Sequence, residues 1–112
     1  MMDSLDLMRH MRDALLTKKA TDILVFDVRK TSTITDYYMI ASGATPAQLK
    51  AMSNAVNQAL KGMGLPDARC SGVPDDGWMV LDLFDVVIHV FQEETRSYYS
   101  IEELWDDCPR VK

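Results

Sequence analysis

WMVLDLFDVVIHVF, residues 78–91, alternates apolar side chains on either side of Phe84-Asp85, the pattern of two antiparallel strands joined by a tight turn. With Phe84 and Asp85 as the two turn residues, Leu83 faces Val86, Asp82 faces Val87, Leu81 faces Ile88 and Val80 faces His89. One face of the hairpin then carries Met79, Leu81, Leu83, Val86, Ile88 and Val90, all apolar and therefore core. The other carries Trp78, Val80, Asp82, Val87, His89 and Phe91. A covering helix calls for a more uniform apolar set, so this mixed face is expected to stay open or to meet a partner. Asp82 lies diagonal to His89 and within expected side-chain reach.

Upstream, Pro74-Asp75-Asp76-Gly77 is strong turn chemistry and Ala68 to Val73 suits a short strand. Thr45-Pro46-Ala47-Gln48 predicts a helix start, with Thr45 as N-cap, Pro46 in the first turn and Gln48 completing a capping box. Leu49, Met52, Val56, Leu60 and Met63 mark its buried stripe, and Gly62 and Gly64 supply the exit. Earlier still, Tyr37 to Ala41 has strand character after a polar stretch. Ile23 to Phe26 is an unbroken apolar run, expected inside the sheet with both faces covered. In residues 1–19, Leu5, Met8, Met11 and Leu15 recur at helical spacing, with Ser4 as the expected cap.

Downstream, Glu93 to Tyr99 reads as a short helix, Ser100 to Trp105 as a last turn, and 106–112 as a loose tail after Pro109. A crossover and a hairpin in one order of elements predict an α/β fold. It is a single domain over residues 1–112, with a mixed sheet of about five strands and flanking helices.

Composition narrows the function. Hydrophobic residues make up 47% and charged residues 26%, an ordinary globular balance. Twelve Lys and Arg against 17 Asp and Glu give a net charge of -5, with no surplus to neutralise phosphates, so direct DNA binding is not expected. A basic protein surface suits this charge better. Cys70 and Cys108 form no metal or redox motif, which fits a reduced cytoplasmic chain. Arg9, His10, Arg12 and Asp13 interrupt the first apolar residues, so neither a signal segment nor a membrane span is expected.

Asp82, Asp85 and His89 are the residue types of an acid/base or metal site, and a metal-dependent nucleotidyltransferase built on them is the enzymatic alternative. Strand alternation sends the two carboxylates to opposite faces unless the turn redirects one. SGATPAQ, residues 42–48, lacks the glycine-rich loop and basic side chain of a phosphate site. No cofactor is expected. An adaptor for some other basic protein is the remaining alternative, with Trp78 as the aromatic residue set on the mixed face.

Asp27-Val28, Thr33-Ile34-Thr35-Asp36-Tyr37, Trp78 with Asp82, Asp85 to Phe91, and Glu94, Arg96, Tyr99, Ile101, Glu102, Leu104 and Trp105 occur in an order and spacing that resemble the ribosomal silencing factor (Iojap) family from about Ala20 to Trp105. The resemblance implies a core similar to a nucleotidyltransferase without its catalytic acids, and a protein without enzymatic turnover. It further implies binding to the large ribosomal subunit through a ribosomal protein of the uL-fourteen family. Such binding would block joining of the small subunit and repress translation when nutrients are scarce, and members tend to form homodimers. Trp78 would be the anchor, Asp82 and His89 would meet the partner beside Tyr38, and Asp85 and Asp36 would offer charge at strand ends. Phe84 stands where the family usually has Gly, and the first residues of the helix after Thr45 also depart from its pattern.

Overall fold

The computed structural model describes residues 3–111; Met1, Met2 and Lys112 lie outside the described residues. Helix α1 spans Ser4–Leu16 and strands β1 and β2 span Thr21–Asp27 and Tyr37–Gly43. Helix α2, Pro46–Gly62, leads to a short β3, Arg69–Ser71, then to β4, Trp78–Asp82, and β5, Val86–Gln92. Helix α3, Glu93–Tyr99, and a 3-10 turn at Ile101–Trp105 close the chain. The sheet runs β1-β2-β5-β4-β3, with β2 parallel to β5 and every other pair antiparallel, the mixed α/β sheet expected.

Both helices that cover the first face follow from apolar spacing. Leu7, Met8, Met11 and Leu15 of α1 are buried, as are Leu49, Met52, Val56 and Leu60 of α2. They close over Met39, Ala41, Met79, Leu81, Ile88 and Val90 from the sheet. Full burial of a side chain of this size stabilises by roughly 1.5–3 kcal/mol, so this layer dominates the folding energy. Asp3, and not Ser4, caps α1, its carboxylate accepting from the Asp6 N–H at 2.9 Å. Thr45 caps α2 as expected, accepting from the Gln48 N–H at 3.1 Å. The Gln48 amide oxygen, however, accepts from the Ala44 N–H, while its nitrogen donates to the Lys18 and Lys19 carbonyls and ties α2 to the end of α1.

The hairpin register agrees with the alternation of residues 78–91: Trp78 faces Phe91, Val80 faces His89 and Asp82 faces Val87. Gly77 precedes it with φ 75, a left-handed conformation open to glycine, and a Cβ there would strike the Thr95 hydroxyl.

Two expectations about the edges are corrected. Strand β1 lies at the edge of the sheet, not inside it. Its apolar run is still covered on both faces, Val25 by the helices and Phe26 on the far side. The segment expected to be a loose tail covers the open edge: the Asp27 N–H donates to the Pro109 carbonyl at 2.8 Å and the Val111 N–H to the Val25 carbonyl at 2.9 Å. An unpaired edge strand leaves backbone donors and acceptors without partners, and these two bonds satisfy part of that row. No helix among the described residues is long and apolar enough to cross a membrane.

Candidate partner-binding face

On the sheet face away from α1 and α2, strand alternation brings Tyr38 and Ile40 of β2 beside Val87, His89 and Phe91 of β5 and Trp78, Val80 and Asp82 of β4. This face was expected to stay open or to meet a partner, and the structure leaves it only partly open. Helix α3, the 3-10 turn and the residues after it fold back over part of it, so that Ile101, Trp105 and Cys108, like Tyr38 and Trp78, pack against the buried Phe26, Val28, Ile40 and Phe91.

His89 sits at the centre of an aromatic cluster. Its ring centroid lies 6.1 Å from Trp78, 5.6 Å from Trp105 and 6.1 Å from Tyr38. Tyr38 and Trp105 stack at 4.3 Å with 13° between planes, and Trp78 stacks on Phe91 at 4.9 Å while touching Tyr99 at 5.1 Å. The indole Nε1 of Trp78 donates to His89 Nδ1 at 3.2 Å. An indole nitrogen only donates, so Nδ1 is the acceptor and the neutral ring carries its proton on Nε2. Burial pushes the imidazole pKa down to about 4, which keeps the ring uncharged near neutrality.

The carboxylates go elsewhere. Asp82 does not reach His89; its Oδ1 accepts from the Phe84 N–H at 2.8 Å and caps the hairpin turn. Phe84 has φ 69, and the Asp85 N–H donates to the Leu83 carbonyl at 3.0 Å across it. Asp85 is exposed, and its carbonyl accepts from the N–H groups of both Asp36 and Tyr37. The six candidate residues thus form two groups: Trp78, His89 and Tyr38 in the aromatic cluster, and Asp82, Asp85 and Asp36 at the turn end of the sheet. Acid/base or metal chemistry at Asp82, Asp85 and His89 would need them to converge. Among the described residues no group of three or more His, Cys, Asp or Glu side chains is placed to hold a metal ion.

The sequence showed Ile34, Tyr99, Leu104 and Arg96 only as residues of the family resemblance, without the places the structure gives them. Ile34 and Leu104 are each 77% exposed, and Ile34 lines a shallow cleft with Tyr38 and Trp105. Tyr98 and Tyr99 are exposed and meet edge to face at 5.0 Å. Clustered exposed apolar side chains of this size mark interaction surfaces. Arg96 is buried, and its guanidinium donates to the Asp22 carbonyl at 2.6 Å, Ser42 Oγ at 2.7 Å and Glu102 Oε2 at 3.3 Å. A bulge in β1 gives Asp22 its φ of 50, and the carbonyl at that bulge is the one Arg96 holds. Arg96 therefore links α3 and the 3-10 turn to β1 and β2. In the sequence it stood out only among the residues that carry the family resemblance, with nothing local to reveal its partners.

The family model described as "Ribosomal silencing factor during starvation" matches residues 1–112. The chain belongs to the ribosomal silencing factor family. Ribosomal silencing factor RsfS of Bacillus subtilis is 36% identical over 92 residues, covering 82% of this chain and 78% of the relative. RsfS of Halalkalibacterium halodurans is 31% identical over 111 residues, covering 99% and 95%. A mouse protein named "Mitochondrial assembly of ribosomal large subunit protein 1" is 34% identical over 94 residues, covering 81% of this chain and 41% of the relative. A crystal structure of a Chromobacterium violaceum protein superposes with a TM-score of 0.87 at 32% identity, covering 93% of this chain and 87% of that one. In this ribosomal silencing factor, the stretches that carry the family resemblance meet in space, since Trp78, His89, Tyr99 and Trp105 belong to one aromatic cluster.

Proposed function

We propose that this chain represses translation without turnover, by seating its aromatic face on a ribosomal protein of the uL-fourteen family and so blocking small-subunit joining when nutrients are scarce. The observation that carries this reading is the aromatic face itself: Trp78, Tyr38 and Trp105 gathered around His89, with exposed Ile34 lining the cleft beside Tyr38 and Trp105. Buried aromatic anchors inside an exposed rim are the arrangement from which interfaces draw most of their energy. A net charge of -5 favours approach to a basic ribosomal protein and sets orientation more than affinity. The neutral His89 enters such an interface without a charge to desolvate. We place this action in the cytoplasm and expect a second copy of the chain to compete for the same apolar surface.

Sedimentation of the purified protein with isolated large and small subunits tests the reading. Co-migration with the large subunit and loss of joined particles are expected, and Trp78→Ala should weaken that binding by more than about 1 kcal/mol in a folded variant. Protein left at the top of the gradient, with joining unaffected, would refute it.

A further inference from the structure

Beside the β4–β5 turn, at the opposite end of β4 from Trp78, a groove of about 480 Å3 opens between the helices and the hairpin. Leu7 of α1, Leu60 of α2, Met63 and Leu83 give it an apolar interior. Two more apolar side chains line it largely in water: Leu65 is 40% exposed and Phe84 is 71% exposed. Asp67, Asp82 and Asp85 share the lining with one cation, Arg69. Arg69 faces Asp82 across β3 and β4, whereas Asp67 and Asp85 are in neither of the ion pairs among the described residues, Arg29–Asp27 and Arg96–Glu102.

The walls are fixed before anything binds. The Leu65 N–H donates to the Leu60 carbonyl at 2.9 Å, and the Ala68 N–H donates to Asn57 Oδ1 at 3.0 Å, fastening the linker to α2. Phe84 holds a left-handed backbone that a side chain with Cβ adopts only against a steric penalty. Folding gains little from a large aromatic side chain held in water in that conformation, whereas strain of this kind concentrates at binding sites.

We propose that this groove docks a short segment of a basic protein, which inserts one aliphatic or aromatic side chain between Leu65 and Phe84 while flanking lysines or arginines meet Asp67 and Asp85. Charge selects the occupant. The acidic lining repels a fatty acid carboxylate, a nucleic acid phosphate and a second copy of this net-negative chain, and attracts a cationic peptide. This surface is separate from the Trp78 face and does not depend on the ribosomal reading.

The test titrates the 15N-labelled full chain with the peptides Lys-Lys-Leu-Lys-Lys, Lys-Lys-Ser-Lys-Lys and Glu-Glu-Leu-Glu-Glu, following backbone amide shifts. Saturable shifts at Leu65, Asp67, Phe84 and Asp85 are expected with the first peptide, and binding about tenfold weaker with the serine peptide. The double variant Asp67→Lys, Asp85→Lys, at two exposed positions, should lose most of the response. Phe84→Gly suits φ 69 and should keep its melting temperature while losing the preference for leucine over serine. Equal binding of the leucine and serine peptides, shifts scattered over the whole acidic surface, or preference for the glutamate peptide would overturn the proposal. Trp78→Ala should leave this titration unchanged while lowering co-sedimentation with the large subunit, so failure of the groove and failure of the ribosomal reading are read on different axes.

Discussion

The Trp78 indole donates to His89 Nδ1 at 3.2 Å, diagonally across β4 and β5, and this bond fixes both rings at the centre of the aromatic face. Trp78→Phe keeps the stack on Phe91 but removes the donor, leaving Nδ1 without a partner in a partly buried site. A loss of about 1 kcal/mol in urea unfolding at pH 7 is expected. Unchanged stability would mean the bond contributes nothing to the fold.

Acid should weaken the fold through His89. In the unfolded chain this imidazole takes up a proton near its ordinary value of 6.5, whereas burial delays uptake in the folded chain to about 4. Between those values the unfolded state binds more protons, so stability falls as pH drops from about 6.5 to 4 and is fully retained above that window. The contribution is on the order of 3 kcal/mol. Unfolding curves at pH 7 and pH 4.5 for the parent and for His89→Asn measure it, and a parent that loses no more stability than the variant would remove His89 as the cause.

Arg96 should be intolerant of change. Arg96→Met leaves the Asp22 carbonyl, Ser42 Oγ and Glu102 Oε2 without their common donor, and a loss of about 3 kcal/mol is expected. Glu102→Gln keeps an acceptor near the guanidinium and should lose about 1 kcal/mol or less. Denaturant midpoints rank the two variants, and equal losses would contradict a network centred on the arginine.

Removing residues 109–112 should expose the β1 edge. The Asp27 amide, which donates to the Pro109 carbonyl, is expected to exchange with solvent on the timescale of the global fold in the full chain and far faster in the truncated one. Hydrogen exchange resolved at that residue decides, and equal protection in both would show that the bond does not hold the edge.

How much of this was legible before any coordinates depended on how local the deciding physics is. The hairpin register followed from strict alternation in residues 78–91, because a slip by one residue would have turned six apolar side chains to water. Thr45 announced α2 because a cap acts within one turn. The edge position of β1 was hidden because Phe26 is covered by Trp105, from nearly eighty positions further along the chain, so an edge strand wore the composition of a central one. Asp82 was placed within reach of His89 by the alternation. A diagonal carboxylate is within reach of an imidazole, but the Phe84 N–H two residues away and the Trp78 indole offered each a nearer partner. Arg96 stood in the family resemblance without a role for the same reason of distance, since its acceptors Asp22 and Ser42 come from β1 and β2.

The sheet divides the buried apolar side chains unequally. Eighteen form one cluster with α1 and α2, against Phe26, Val28, Ile40, Val87 and Phe91 on the aromatic side. On the reading proposed above, foldability and recognition are therefore written largely in different residues. A lineage whose partner drifts can exchange Ile34, Leu104 or Tyr99 to follow it while the helix-covered layer keeps the chain folded. A substitution at Met52 or Leu81 has no such freedom.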